Sequence, residues 1–190
     1  MRSFLAGFTI LFLPSFAFAS TWLIDPDNSR VRFKVHPILV SPLEGVFHKM
    51  RGVAILNEKD ITQSRIKVSV DASSVDTGTA QLDETLRSDS FLDVAHNPTV
   101  TFESRKITRN GPNKLKVNGN LKLHGVTREV MLDVKGPSAA TKDRHGKMRR
   151  TASAVACLSR KAFGLTLNPL LTAGLGDEID FLFDVEFVKK

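Results

Sequence analysis

The chain has 190 residues, with 27 Lys and Arg against 20 Asp and Glu, and a formal net charge of +7 at pH 7. Its single cysteine excludes an internal disulfide, so packing must supply the stability. The basic charge fits solubility, an anionic membrane surface or an anionic ligand, and the export signal described next argues against nucleic acid as a partner.

The first nineteen residues have the pattern of a cleaved secretory signal peptide. A basic start is followed by an apolar run from Phe4 to Leu13 and by Ala17-Phe18-Ala19 before Ser20. This run is too short for a membrane-spanning helix, which needs about twenty residues. No cysteine follows the predicted cut between Ala19 and Ser20 to carry a lipid anchor. We expect residues 1–19 to be removed and residues 20–190 to form one domain outside the cytoplasm.

Apolar and polar residues alternate with a period of two along most of the remaining chain, which predicts β-strands. Half-buried strands of this kind are typical of antiparallel sheets with one solvated face. The apolar faces of the predicted strands are Val31, Phe33 and Val35; Ile66, Val68 and Val70; Val100 and Phe102; Leu115, Val117, Gly119, Leu121 and Leu123; Val130, Leu132 and Val134; and Ile179, Phe181, Phe183, Val185 and Phe187.

Turn residues separate these strands, and one segment breaks the alternation. Asn110-Gly111-Pro112 and His124-Gly125 predict hairpin turns. His145-Gly146 marks the tip of a basic hairpin over residues 142–150, which we expect to be solvated. Leu82 and Leu86 lie four residues apart and predict a short helix near residues 79–88. Residues 162–176 are expected to form a long irregular loop.

These elements predict an all-β fold, an antiparallel barrel of about eight strands with one short helix. Closing the sheet removes its exposed edges, and a barrel of eight strands has room for a slender ligand. A sandwich of two sheets is the alternative, because alternation alone does not separate the two architectures.

The sequence contains no recognisable catalytic or metal-binding motif. It lacks H-E-x-x-H, G-x-S-x-G and C-x-x-C. The spacing of the five histidines gives no support to a haem or metal site built from His36 and His48. Cys157 lies among small and apolar neighbours, and we expect a buried, inert thiol there. Binding is therefore the favoured class of function.

Several stretches stand in the order and spacing of a known family. The most specific are Leu86-Arg87-Ser88 with Phe91 and Asp93, and the His124-Gly125-Val126-Thr127 turn. Further matching stretches are Trp22-Leu23-Ile24-Asp25, Gly45-Val46-Phe47, Asn97-Pro98, Phe163-Gly164-Leu165 and Gly176-Asp177. Together they resemble the YceI-like family of bacterial periplasmic lipid-binding proteins. One departure is Asn28-Ser29, where family members often carry His-Ser.

The resemblance implies an extended, lipocalin-like barrel whose apolar tunnel holds a long isoprenoid or a similar amphiphile. It implies no catalytic residue, metal or cofactor, with a quinone-type lipid as one candidate ligand. Arg87 and Arg160 are cations within apolar motifs, and they would either contact the head group or form a salt bridge, such as Arg87 with Asp93. The ligand-binding candidates are Val31, Phe33, Val35, Phe47, Leu86, Arg87, Phe91, Phe102, Arg160, Phe163, Phe181 and Phe183.

The sequence thus predicts a periplasmic carrier that sequesters a polyisoprenoid or similar long-chain lipid without catalysis. Two alternatives stay open, namely an enzyme that acts on the bound lipid and a quinone-linked electron-transfer accessory to a membrane cytochrome. Transient contact with an anionic membrane surface, through the hairpin at 142–150, and a homodimer also stay open.

Overall fold

The computed structural model describes residues 19–37, 43–166 and 175–190. Within these ranges the chain forms one antiparallel sheet of twelve strands, the helix α1 (Ala80–Arg87) and four short 3-10 turns. The strands are β1 (Ala19–Ile24), β2 (Arg30–Pro37), β3 (Leu43–Phe47), β4 (Met50–Asn57), β5 (Arg65–Asp71), β6 (Val75–Asp76), β7 (Thr99–Arg109), β8 (Lys114–Leu123), β9 (Val126–Lys135), β10 (Thr141–Lys142), β11 (Met148–Ser159) and β12 (Leu175–Lys189).

The sheet closes into a barrel of eight long strands, three of which are interrupted. β1 pairs with β4 while β2 pairs with β3, and β4 pairs with β5 while β3 pairs with β6. Each of the successive segments β1–β2, β3–β4 and β5–β6 therefore acts as one broken strand. β12 pairs with β11 and closes the ring, and β10 extends it at the edge of β11. The predicted barrel is confirmed, and the sandwich alternative is wrong.

The break between β1 and β2 has a local cause in the sequence. Pro26 has no N–H to donate and begins a 3-10 turn over Pro26–Asn28. The Asp25 side chain accepts a hydrogen bond from the backbone N–H of Asp27 at 3.2 Å and another from Nδ2 of Asn28 at 3.1 Å. Asn28 therefore stabilises this turn.

The turn signals and the helix signal correspond to real elements. His124 and Gly125 have φ angles of 49° and 73° and join β8 to β9, as a two-residue hairpin turn with positive φ requires. Gly111 lies in the loop between β7 and β8, and His145-Gly146 lies between β10 and β11. Helix α1 buries Leu86 against the barrel core and leaves Leu82 partly buried.

The alternation pattern found six strands but missed others. β1, β3, β4 and β11 were not predicted as strands, although β11 is twelve residues long. The positions of β11 that face the barrel interior include Ala152, Ala154 and Ala156, so its apolar contrast is weak. β12 begins at Leu175, inside the loop predicted for residues 162–176. Residues 1–18 of the predicted signal peptide and residues 167–174 of that loop lie outside the described residues.

Candidate functional site

An apolar cavity of about 140 Å³ lies inside the barrel. Of the 33 described residues that line it, all are apolar except Ser153. They come from the inward faces of the ring strands and from the α1 end of the barrel, where Leu86, Phe91 and Leu92 contribute. An apolar cavity of this kind favours hydrocarbon over water or charge.

Side chains line the interior of the barrel without filling it. Inward side chains such as Leu132, Phe181 and Phe183 line the cavity and are only partly buried, because one side of each faces it. Ala154 and Ala156 of β11 lie opposite Phe183 and Phe181 of β12 in the sheet register. The methyl side chains of β11 leave room for the cavity beside the larger rings.

Aromatic rings form a continuous part of this wall. The ring of Phe33 lies 5.5 Å from that of Phe47 and 6.4 Å from that of Phe181, centroid to centroid. Phe181 in turn lies 6.4 Å from Phe183. Phe33 extends over Gly45 on the neighbouring strand, where a Cβ atom would come within 2.5 Å of the ring. The absence of a side chain at Gly45 therefore sets the position of the Phe33 ring.

Nine of the twelve predicted ligand-binding residues line the cavity. These are Val31, Phe33, Val35, Phe47, Leu86, Phe91, Phe102, Phe181 and Phe183. Phe163 is buried but is outside the lining, because it lies in the 3-10 turn Lys161–Phe163 after β11. Arg87 and Arg160 are also outside the lining.

Arg87 is held by the protein itself. Its Nε donates to the Ser73 carbonyl at 2.9 Å and its Nη2 donates to the Val75 carbonyl at 2.6 Å. The nearest carboxylate is that of Asp83, at 3.9 Å. The predicted partner Asp93 instead accepts from the His96 ring at 2.8 Å, so the proposed Arg87–Asp93 salt bridge is wrong.

Arg160 is buried, with 5% of its surface exposed. Its Nε donates to the Gly176 carbonyl at 3.0 Å and its Nη1 donates to the Leu165 carbonyl at 2.8 Å. These bonds tie the end of β11 to the start of β12. Both arginines thus bridge backbone segments at the same end of the barrel.

Sequence reasoning missed part of the lining. Leu121, Val130, Leu132, Val134 and Ile179 line the cavity. The alternation had placed all of them on apolar strand faces, so that signal was available. Ala152, Ala154 and Ala156 gave no such signal, because alanine is common on both faces of a strand.

A charged cluster at the opposite end of β11 corrects another expectation. Arg149 donates from Nε to Asp143 at 2.7 Å, from Nη1 to Asp25 at 2.6 Å, and also to Glu186. The hydrogen bond from Arg149 to Asp143 lowers the pKa of that carboxyl to about 2. The hydrogen bond from Arg149 to Asp25 lowers the pKa of Asp25 as well. We expected the hairpin at 142–150 to be a solvated tip, and Arg149 differs from this expectation because three carboxylates hold its side chain.

Arg150 is likewise engaged by the protein. Its guanidinium lies 4.8 Å from the centroid of the buried Trp22 ring, and its Nη2 donates to Glu58 at 2.9 Å. The Trp22 Nε1–H donates to Ser20 Oγ at 2.7 Å, and the Ser20 hydroxyl donates to Glu58. This cation–π contact and hydrogen-bond network fastens β1 to β11.

Cys157 also differs from expectation, since it is exposed rather than buried. It lies on the outer face of β11, next to the inward Ala156. Local packing and the carboxylates of Asp180 and Glu178 raise the pKa of its thiol, which lowers the fraction of reactive thiolate.

Polar groups near the ends of the barrel form pairs rather than a metal site. His36 bonds to Asp180 at 2.7 Å, and His48 bonds to Asp76 at 3.0 Å. Among the described residues, no three His, Cys, Asp or Glu side chains come together as metal ligands would. None of the described helices has the length and apolar character to cross a membrane.

Comparison with known proteins decides the family. The profile of the YceI-like domain matches residues 22–187, which include all or part of every strand of the ring. The chain belongs to the YceI-like family. The UPF0312 protein of Pseudomonas paraeruginosa is 32% identical over 182 residues, which cover 95% of this chain and 93% of that protein.

Solved structures show that the YceI-like chain shares its fold with two further proteins. BcnA of Burkholderia cenocepacia superposes with a TM-score of 0.75 at 22% identity, over 86% of this chain and 98% of BcnA. A polyisoprenoid binding domain from Saccharophagus degradans, implicated in plant cell wall breakdown, has a TM-score of 0.64 at 16% identity, over 89% of this chain and 98% of that domain.

Proposed function

We propose that this YceI-like protein is a periplasmic carrier that holds a polyisoprenoid or a similar long-chain lipid inside its barrel, without catalysis. The observation that carries this proposal is the cavity wall, in which Ser153 is the single polar member among the 33 lining residues that the structure describes. The family membership and the fold shared with a polyisoprenoid binding domain support it. Export to the periplasm is supported by the signal-peptide pattern in residues 1–19.

The energetics favour a ligand with a long hydrocarbon tail. Each CH₂ group that leaves water gains about 0.8 kcal/mol, whereas one neutral hydrogen bond contributes about 1 kcal/mol net. A few isoprene units therefore outweigh any single polar contact. The wall around the tail offers almost no partner for a polar head group, so the head group belongs near an end or an opening of the barrel.

The cavity has about the volume that accommodates a benzene molecule, so a long tail must displace part of the lining. Phe181 and Phe183 are suited to this, because both are only partly buried and face the small side chains of β11. We expect these rings to turn towards the wall when a tail is bound.

The test is native mass spectrometry of the protein isolated from a bacterial periplasm, followed by organic extraction. We expect a discrete added mass that extracts as a prenyl chain or a quinone. A ligand-free protein that also takes up no added long-chain prenyl alcohol or quinone would contradict the proposal.

A matched pair of variants locates the ligand. Ala154→Phe fills the cavity, whereas Val155→Phe adds the same ring on the outer face, where Val155 is 49% exposed. We expect Ala154→Phe to lose the added mass and Val155→Phe to keep it. Circular dichroism checks that both variants fold, and Ala154→Leu replaces Ala154→Phe if the larger ring prevents folding.

A further inference from the structure

The strands β9 and β11 are joined along an unusually short part of their length. Only three residue pairs connect them, from Lys135–Ser153 to Asp133–Val155. β9 pairs with β8 over ten residues, and β11 pairs with β12 over eleven. Residues 126–132 of β9 and 156–159 of β11 therefore have no pairing with each other in the described chain. We call these two stretches the β9–β11 seam.

The inner face of the seam is apolar, whereas its outer face combines Met131 with polar side chains such as Thr127 and Glu129. On the inside, Val130 and Leu132 of β9 and Ala156 and Leu158 of β11 line the cavity. On the outside, Met131 is 46% exposed and Val155 is 49% exposed. These are two of the four large apolar side chains that the described residues expose, and both flank the seam.

A 3-10 turn covers the seam at the α1 end of the barrel. Side-chain hydrogen bonds, and no strand pairing, join this turn to His124 and to Arg128 of β9. The turn Lys161–Phe163 follows β11, and Phe163 is buried. Arg128 of β9 donates from Nε to the Ala162 carbonyl at 2.5 Å. The Nδ1–H of His124 donates to the Phe163 carbonyl at 3.2 Å. The other side of the turn is fixed to β12, where the Lys161 N–H donates to Asp177 at 3.0 Å. The two side-chain hydrogen bonds on the β8–β9 side can therefore break while the turn stays attached to β12 and the ring stays folded.

The described residues at the ends of the barrel give less access. At the α1 end, Leu86, Leu92 and Leu165 are buried. At the other end, Trp22 and Leu56 are buried, and the bonds of Arg149 and Arg150 tie the strands together. A tail that enters through the side avoids both of these packed layers.

We propose that the β9–β11 seam is a lateral portal for the lipid tail, with the turn Lys161–Phe163 as its latch. The inference rests on the proposed lipid-binding function. Sideways entry gives a long tail a short path to the apolar cavity, and the exposed side chains of Met131 and Val155 offer apolar contact at the outer mouth of this path.

The seam can be tested with the cysteine that already stands beside it. Extending the β9–β11 register by two residues sets Cys157 opposite Met131. In Met131→Cys, a short bismaleimide would join the two thiols across the seam. The readout is the rate at which the delipidated protein takes up geranylgeraniol, followed by native mass spectrometry.

A cross-link elsewhere on the barrel is the control. Lys67 and Glu103 lie opposite each other across the continuous β5–β7 ladder, with both side chains well exposed. Lys67→Cys and Glu103→Cys in a Cys157→Ser background carry the same bismaleimide. Their exposed salt bridge contributes little, so its loss should not affect folding.

We expect the seam cross-link to slow uptake at least about tenfold and the control cross-link to leave the rate unchanged. Equal rates for the seam-linked and unlinked protein would show that lipid enters elsewhere. If the unlinked, folded protein binds no geranylgeraniol at all, the proposed function itself fails.

Arg128→Ala tests the latch separately. It removes the bond to the Ala162 carbonyl, and we expect several-fold faster uptake with the same amount of lipid bound at equilibrium. Lys122→Ala, an exposed change on β8, is the matched control. If Arg128→Ala and Lys122→Ala take up lipid at the same rate, the turn is not part of the portal.

Discussion

Phe33 and Gly45 lie directly opposite each other on β2 and β3, and the phenyl ring occupies the space that a side chain at Gly45 would need. A Cβ atom at position 45 would come within 2.5 Å of the ring. This pairing fixes one aromatic member of the cavity wall.

Gly45→Val should therefore push the Phe33 ring into the cavity. Overpacking of this kind lowers the free energy of unfolding by about 1–3 kcal/mol. Because the ring takes up part of the cavity, the variant should also bind less lipid. In the double variant with Phe33→Ala, we expect a loss of stability smaller than the sum of the two single losses, because the clash disappears. Urea unfolding and lipid titration of the single and double variants measure this coupling, and strictly additive effects would contradict it.

Substitution of Arg160 tests whether this side chain has a structural role or contacts the head group of the lipid. Arg160→Met leaves the carbonyls of Gly176 and Leu165 without their donors, and we expect a loss of about 1–3 kcal/mol in the free energy of unfolding. The exposed neighbour Lys161→Met is the control. Unchanged stability together with lost lipid binding would instead assign Arg160 to the ligand.

The bond between Asp143 and Arg149 predicts an acid-sensitive contribution to stability. Arg149 lowers the pKa of Asp143 from 3.8 to about 2 in the folded protein. The stabilisation is therefore fully present above pH 3.8 and is lost as the pH falls towards 2. Asp143→Asn should flatten the decline of the free energy of unfolding over this range. Asp89→Asn, an exposed change away from this cluster, should keep the slope of the original protein, and equal slopes for both variants would refute the assignment.

Cys157 should react slowly despite its exposure. Local burial and the nearby carboxylates raise the pKa of its thiol, so the fraction of thiolate at pH 7.5 is small. Asp180→Asn removes one of these charges and should speed alkylation by iodoacetamide at pH 7.5. Asp184→Asn, four residues further along β12, is the control. A rate in Asp180→Asn no higher than in the control would show that the charge of Asp180 has no effect on the thiol.

Most of the barrel could be predicted from the sequence, because side chains in a strand alternate between a wet and a dry face. Phe181 and Phe183 of β12 were assigned to the interior in this way, and both line the cavity. The hairpin turn at His124-Gly125 could also be predicted, because positive φ angles at both positions restrict the residue types that fit there. That these residues bind lipid stays a prediction.

The errors occurred where composition gives no contrast between the two faces. In β11, Ala154 and Ala156 face inward while Val155 and Cys157 face outward, and all four are apolar or small. The neighbours of Cys157 suggested burial, but the register with β12 sets it on the outer face.

The sequence by itself determined the family, the strand-rich fold, the hairpin turns and most of the residues that face the interior. These properties depend on local alternation and on turn geometry, which short stretches of chain encode. The tertiary structure decided which side of β11 faces inward, which groups hold Arg87 and Arg160, and where β9 and β11 part. Each of these depends on residues far apart in the chain, whose distances are set only when the ring closes.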